Sequence, residues 1–555
     1  MTLAEKIHAA QTVQGVPPES YPLPYRSIAE LLAHQERTQA EKIFLVYYDE
    51  ENNRTEYSYQ DFIGIVRRVS AFMRSLGLER GDRIATAAHN HPDTIAQYFA
   101  AWLLGLCVVP LNMSEDDERL RYILANSSAK TLFCREDYAE RVSVLVSANV
   151  ALVSVFDDTA TQGGLHHLCQ NLTPYTTTES ENVSYLDDEC FIVYTSGTTG
   201  HPKGVVLTQR NIIADSDAIA AWHSIGADTR LMCVLPVHHV NGTIVTHTTP
   251  MLAGASTVLN RKFQTEYFFK RIAAENVQIV SVVPTLLAFL LEANKISALT
   301  VPKSLRYLIC GAGPLTCSLA GNFEAAFDVP ILHGYGLSET TCYSCYLPTD
   351  LSAEEHRHWM QDYGFPSIGV PIVANEMAIH DDNGNALAEM ERGEIVIRGA
   401  NVMKEYYQNP DANEKTFAHG WFRSGDEGFF KRDAAGREYF FITGRLKELI
   451  IRGGVNLAPL EIDEVLAQAP GVKAGICVGF ENDFYGEEVG ALVIPDSPQA
   501  SKEAILEYCL AAMPFSKAPK VVVFTDALPV TSTGKYQRNS VKHVFAEWKA
   551  AQFRK

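Results

Sequence analysis

Residues 194–204 read Tyr194-Thr-Ser-Gly-Thr-Thr-Gly-His-Pro-Lys-Gly204. The run leading into them, Cys190-Phe-Ile-Val-Tyr194, is apolar, aromatic and β-branched, which predicts a buried strand. That strand delivers the chain into a loop of small and hydroxyl residues: Thr195, Ser196, Gly197, Thr198, Thr199 and Gly200, with Lys203 just beyond. Such a loop offers backbone N–H groups, hydroxyls and one cation, which is what a polyphosphate needs. Lys203 is followed by Gly204, so the GK[ST] order of a Walker A loop is absent. A flexible turn between two strands is the plain alternative.

Outward from the loop, the spacing of apolar residues predicts strands at 43–49, 84–88 and 107–110, with helices over 58–76 and 94–104 between them. Strands alternate with helices to about residue 345, the pattern of layered α/β structure with a largely parallel sheet. The texture changes after about residue 365. Short strands such as Glu394-Ile-Val-Ile-Arg-Gly and Glu438-Tyr-Phe-Phe-Ile stand between turn residues, which predicts a small antiparallel β-barrel or sheet over about 365–446. From about 447 the chain has a helix at 459–468, strands at 474–479 and 490–494, and a helix at 502–512. That is enough for a separate small α+β domain. The expected organisation is an α/β multidomain protein: a large N-terminal domain, 1–446, and a smaller C-terminal domain, 447–555.

The chain has 555 residues, a net charge of -19 and an apolar fraction of 46%. Such a length needs several layers of core, and such a composition excludes wholesale disorder. The acidic balance argues against nucleic acid as the main partner. The eleven cysteines are scattered, with no disulfide-like framework. The first residues, Met1-Thr-Leu-Ala-Glu-Lys6, lack the apolar core of a signal peptide. The longest apolar run, around 99–111, is too short to span a bilayer. A soluble, cytoplasmic protein with no membrane span is expected. Nothing in the sequence bears on its oligomeric state.

The segment 194–204 resembles the phosphate-loop signature of the adenylate-forming superfamily, which holds acyl-CoA synthetases, peptide-synthetase adenylation domains and firefly luciferase. Further motifs follow in the family's order. Leu235-Pro-Val-His-His-Val-Asn-Gly242 resembles the segment flanking the acyl pocket, and Gly311-Ala-Gly-Pro-Leu315 the adenine-contacting loop. His333-Gly-Tyr-Gly-Leu-Ser-Glu-Thr340 resembles the loop with the metal-binding glutamate, and Trp421-Phe-Arg-Ser-Gly-Asp426 the ribose motif. Gly444-Arg-Leu-Lys-Glu-Leu-Ile-Ile-Arg-Gly-Gly454 resembles the hinge and the loop after it, and Pro529-Val-Thr-Ser-Thr-Gly-Lys535 the segment of the C-terminal catalytic lysine.

The resemblance implies an AMP-forming acid ligase using ATP and Mg2+, with a mobile C-terminal domain. Carboxylate attack on the α-phosphate brings two anions together, so positioning and charge neutralisation must supply most of the catalysis. By resemblance Lys535 meets the carboxylate and phosphate oxygens. Glu339 is a hard oxygen ligand for Mg2+, and Thr340 bonds the α-phosphate. Gly311, Ala312, Gly313, Tyr335 and Gly336 surround adenine, while Asp426 and Arg445 take the ribose. His239 gates the carboxylate entry, although a structural histidine would look the same. Asn241, Gly242, Cys310, Gly311 and Cys342 line the acyl pocket beside it. Lys447 marks the hinge, and Gly453 and Gly454 give a backbone surface along which a pantetheine arm can pass. Tyr485, in Phe484-Tyr-Gly486, is an aromatic where related ligases stack CoA.

The substrate is then a small carboxylic acid, and CoA is the expected acceptor. Val455 stands where many acyl-CoA synthetases carry Glu, which keeps an amino acid or a carrier-protein pantetheine open as acceptor. A silent nucleotide-binding scaffold is disfavoured by the joint presence of Lys203, Glu339, Asp426, Arg445 and Lys535. Cys342-Tyr-Ser-Cys345 has no second ligand pair for zinc and no thioredoxin-like setting, so its cysteines read as small pocket-wall residues.

Overall fold

A computed structural model describes residues 1–147, 149–154, 165, 169, 171–176, 185–195, 201–530 and 536–554. Ser196, Gly197, Thr198, Thr199 and Gly200 of the phosphate loop, and Lys535, lie outside these described residues.

Two large sheets organise the N-terminal part. One has seven strands in the order Glu405–Tyr406, Lys203–Thr208, Glu189–Thr195, Cys107–Leu111, Arg83–Ala87, Thr131–Cys134 and Ala151–Ser154. The other has nine, and its centre is six parallel strands: Ile331–Tyr335, Tyr307–Cys310, Ile279–Val282, Arg230–Cys233, Ser256–Asn260 and Ile43–Tyr48. Helices cover the faces, so these strands are apolar along most of their length rather than alternating. The helix Tyr59–Ser75 shows why the sequence breaks where it does. Ser58 and Asp61 cap its start reciprocally, and Phe62, Ile63, Val66, Val69 and Met73 bury one face.

The phosphate-loop strand Glu189–Thr195 pairs antiparallel with Lys203–Thr208, which puts Thr195 opposite Lys203. The loop therefore joins two strands of one sheet, and no helix follows it directly as one does in a Walker A loop. Residues 375–445 form a four-stranded antiparallel sheet, Asn375–His380, Gly393–Gly399, Phe422–Arg432 and Glu438–Arg445. The bridge Gly369 to Phe440 joins it to the nine-stranded sheet's edge. After the short turn Leu446–Glu448, a five-stranded sheet with helices Pro459–Leu466 and Lys502–Ala512 packs around its own apolar cluster. Among the described residues, no helix is long and apolar enough to cross a membrane.

The segment Asn241–Thr248 is a π-helix, buried throughout. Apolar spacing gives no cue for it, and such turns are concentrated at functional sites. It lies beside the C-terminal ends of the parallel strands, the region where open α/β sheets bind ligands.

Candidate active site

Gly311, Ala312 and Gly313 leave the strand end at Cys310, and the turn Ser338–Thr340 follows the strand end at Tyr335. These strand ends line a cavity of about 330 Å³, whose wall includes Gly313, Tyr335, Asp426, Arg445, Glu464 and Arg538. Large-domain and C-terminal residues thus share one chamber.

Asp426 and Arg445 face each other across adjacent strands. Arg445 Nε lies 3.3 Å from Asp426 Oδ1, while the Tyr335 hydroxyl donates to Asp426 Oδ2 at 2.6 Å. Asp426 is only 2% exposed, yet Oδ1 has no hydrogen-bond partner among the described residues. Buried carboxylate oxygens are normally satisfied, whereas Oδ1 has only the charge of the Arg445 guanidinium beside it. Burial, with Asp426 alongside, raises the Tyr335 phenol well above its usual range, so it stays a donor.

Glu339 is buried at the next strand end. The Tyr406 hydroxyl donates to Glu339 Oε1 at 2.7 Å, and the Lys203 ammonium lies 4.4 Å from the centre of the Tyr406 ring. One tyrosine therefore bridges the cation after the phosphate loop and the carboxylate of the metal motif. Burial pulls Lys203 below the usual lysine range, with Glu339 opposing and Lys447 and Lys415 adding to the shift. Thr340 is fully buried, and its hydroxyl is used within its own turn, accepting from Leu337 N at 3.1 Å. Tyr406 carries no sequence signal of a role, because Lys203 on the neighbouring strand and Glu339 in the turn after Tyr335 both stand far from it in the chain.

On the acyl side, the rings of His238 and His239 sit 4.4 Å apart. Burial pulls the His238 imidazole down to about 4, so it is neutral near pH 7. Gly242 approaches the carbonyl of Pro236 so closely that a Cβ would stand 2.4 Å from its oxygen. Asn241, Cys310, Gly311 and Cys342 are all brought to this end, and Asn241 Nδ2 donates to the Tyr343 hydroxyl at 3.1 Å. All eleven cysteines are free, including Cys342 and Cys345. Among the described residues, no group of three or more His, Cys, Asp or Glu could hold a metal by itself.

The C-terminal side contrasts with this. Lys447 is exposed in the turn after Arg445. Gly453 and Gly454 make the two-residue turn of the hairpin Ile450–Arg452 and Val455–Leu457, with φ of 58° and 81°. Positive φ at both positions suits a type I′ turn and explains the glycine pair. Gly453 N donates to the Tyr485 carbonyl at 2.8 Å, and the Arg452 guanidinium lies 3.9 Å from the centre of the Tyr485 ring. Glu464, which no motif marks, crosses to the large domain: its carboxylate accepts from Cys317 N at 2.6 Å, at the start of helix Cys317–Phe327. Burial raises the Glu464 carboxyl to about 7.

Comparison with known proteins gives this constellation a family. The family model described as AMP-binding enzyme matches residues 32–407, and the AMP-binding enzyme C-terminal domain matches 461–535. The chain belongs to the AMP-binding enzyme family. Sulfoacetate–CoA ligase of Cupriavidus necator is 32% identical over 527 residues, covering 93% of this AMP-binding enzyme and 97% of its relative. ATP-bound MatB from Rhodopseudomonas palustris superimposes with a TM-score of 0.82 at 25% identity, covering 93% of this chain and 99% of the other. The o-succinylbenzoate CoA synthetase of Bacillus subtilis, in complex with its acyl-adenylate intermediate, gives 0.78 at 26% identity, covering 92% and 97%.

Proposed function

We propose that this enzyme activates a small carboxylic acid with ATP, forming acyl-adenylate and pyrophosphate, and then passes the acyl group to the thiol of CoA. The observation that carries the reading is the buried Asp426 carboxylate. It is held by Tyr335 and Arg445 with one oxygen free of hydrogen bonds among the described residues, in a chamber shared with the C-terminal residues. A ribose hydroxyl satisfies that acceptor, and a flat base would lie in the same chamber, which Gly313, Tyr335 and Gly336 line. The relatives' activities support the chemistry but differ in the acid, from sulfoacetate to o-succinylbenzoate.

In this reading Lys203, with the loop residues Thr195, Ser196, Gly197, Thr198, Thr199 and Gly200, neutralises the β- and γ-phosphates. Thr340 stands beside the α-phosphate. Glu339 fits Mg2+, since it is a hard carboxylate with Oε1 oriented by Tyr406, and the triphosphate supplies the remaining charge. Bound there, the ion would offset phosphate charge. His239 borders the carboxylate entry. The chain divides at Lys447 into a large domain, 1–446, and a C-terminal domain, 447–555. Rotation about Lys447 exchanges Lys535 for the Gly453-Gly454 turn between the two half-reactions. The free cysteines support a cytoplasmic setting.

The test is pyrophosphate release across a carboxylic-acid panel, with CoA, amino acids or neither present, and mass detection of products. Acid-dependent release plus a CoA thioester is the expected result. Acid-dependent release with only an amide product would move the acceptor to an amino acid.

A further inference from the structure

The helix Leu3–Gln11 carries no motif, and it lies ahead of residues 32–407, the stretch that the family model matches. Thr2 and Glu5 cap its start reciprocally. Leu3, Ile7 and Ala10, spaced as one helix face, pack on the main apolar core, with Ala10 fully buried. The docking is close. Gly420 stands just before the Trp421 motif, and a Cβ there would lie 3.0 Å from Ala9 Cβ.

The helix grips the chain on both flanks of Tyr406. Gln11 Nε2 donates to the Met403 carbonyl at 3.0 Å and to the Val402 carbonyl at 3.3 Å. Two carbonyls side by side need a double donor, which the amide NH2 supplies. Met403 N in turn donates to the Glu339 carbonyl at 2.8 Å. On the other flank, Lys6 Nζ lies 2.6 Å from Glu414 Oε2, on the helix Pro410–Thr416. Asn413 of that helix holds the Tyr406 backbone twice. Its Oδ1 accepts from Tyr406 N at 2.7 Å, and its Nδ2 donates to the Tyr406 carbonyl at 3.0 Å. The Lys6–Glu414 pair is partly exposed, and pairs of that kind contribute little, so the Gln11 bonds are the main grip.

We propose that this N-terminal helix is a strap on the phosphate end of the nucleotide site, with Gln11 a positioning residue that fixes Tyr406 between Lys203 and Glu339. From the sheet side the segment is held by Lys404 N on the Val206 carbonyl at 2.9 Å and by Asn211 Nδ2 on the Val402 carbonyl at 2.9 Å. Gln11 closes the outer side. The Tyr406 hydroxyl must reach Glu339 Oε1 while its ring covers the Lys203 ammonium, so the backbone that carries it has to stand at one depth. Loosening that backbone would disturb the groups assigned to the β- and γ-phosphates and their metal ion, and leave Asp426 and Tyr335 as they are. This inference rests on the adenylation reading and adds to it a residue outside every motif.

The experiment is calorimetric titration of the full chain with ATP and with AMP at fixed Mg2+, without acid. Gln11→Glu keeps the shape and turns a carboxylate toward two carbonyls. It should weaken ATP about threefold to tenfold. AMP lacks the β- and γ-phosphates and should change by less than about twofold. Gln11→Lys restores a donor and should recover most of the loss. Tyr406→Phe should lose about as much ATP affinity as Gln11→Glu. The double variant should lose little more, because both changes act through one bond. ATP affinity unmoved in Gln11→Glu overturns the inference and leaves the adenylation reading standing. Equal losses of ATP and AMP, or losses that multiply in the double variant, do the same. Should Gln11→Glu not fold, Gln11→Ala takes its place with the same expected split. Failure of ATP to bind the native protein overturns the adenylation reading and this inference with it.

Discussion

The two ends of the active site are built on opposite terms. At the nucleotide end the two carboxylates are buried and doubly engaged: Asp426 between Tyr335 and Arg445, and Glu339 between Tyr406 and the Lys203 charge. At the C-terminal end Lys447 is exposed, Val455 is 60% exposed, and a Cβ on Gly454 would meet nothing within 4 Å. The difference fits two kinds of work. Groups that hold a ligand through both half-reactions gain from a fixed, dry setting, where charge interactions are stronger. Groups that serve one half-reaction must arrive and leave, so they sit on surfaces that form few permanent contacts.

Substitutions can break or sharpen that contrast. The largest effect is expected at Lys535→Ala. On the role proposed for Lys535, its loss should slow acid-dependent pyrophosphate exchange on the order of 10²–10³. Conversion of supplied acyl-adenylate should survive. Exchange at the native rate would remove Lys535 from the first half-reaction.

Lys447→Pro comes next. Proline fixes φ near −65°, so a hinge that must change its dihedral angles is arrested. Single-turnover adenylation should persist while transfer from preformed adenylate falls about 100-fold. Lys447→Ala should do little. Equal loss of both steps in the proline variant would mean damage to the fold, and loss of neither would put the domain boundary elsewhere.

Glu339→Gln probes the fixed end. A neutral amide is a poorer ligand for a hard cation, so the Mg2+ concentration for half-maximal adenylation should rise about tenfold. Tyr406→Phe keeps the ring over Lys203 and deletes the hydroxyl that bonds Glu339. One net hydrogen bond of about 1 kcal/mol predicts a three- to tenfold rise in the same titration. If the Phe variant matches the Gln variant, orientation by Tyr406 carries the whole effect. If both titrations are native-like, Glu339 has no part in metal binding.

The smallest effect is expected at the seam between the two ends. Burial raises Glu464 from the ordinary 4.5 to about 7, with Asp463 reinforcing the rise and the amides of Cys317 and Ser318 opposing it. A carboxyl raised in the docked arrangement favours docking while it is protonated. That contribution is complete below the ordinary value and is lost as pH climbs through about 7. Cleavage at the 446–448 turn by a protease should therefore quicken between pH 5 and pH 8. Glu464→Gln, neutral throughout, should flatten the profile. A flat native profile, or an unchanged slope in the variant, would detach Glu464 from docking.

Much of the fold was legible in the sequence because its elements are locally consistent. The run Ile43–Tyr48, the helices Tyr59–Ser75 and Lys502–Ala512, and the strand Glu189–Thr195 follow from apolar period and caps alone. The π-helix Asn241–Thr248 did not follow, since its burial on all sides erases any period. Strands Val472–Asn482 and Gly486–Pro495 run longer than 474–479 and 490–494, because backbone pairing continues past the apolar core into charged residues.

The candidate site divides the same way. The sequence by itself determined the α/β alternation, the phosphate-loop chemistry and the residue types of each motif, because these are local properties of period, turn and side-chain charge. Only the tertiary structure decided who meets whom: Tyr335 with Asp426 across 91 residues, Glu339 with Tyr406 across 67, Asn241 with Tyr343 across 102, and Cys317 with Glu464 across 147. Those pairings depend on which strand ends the sheet order sets side by side. Burial at those meetings, rather than residue type, leaves Asp426 an unmet acceptor and lifts Glu464 toward neutrality.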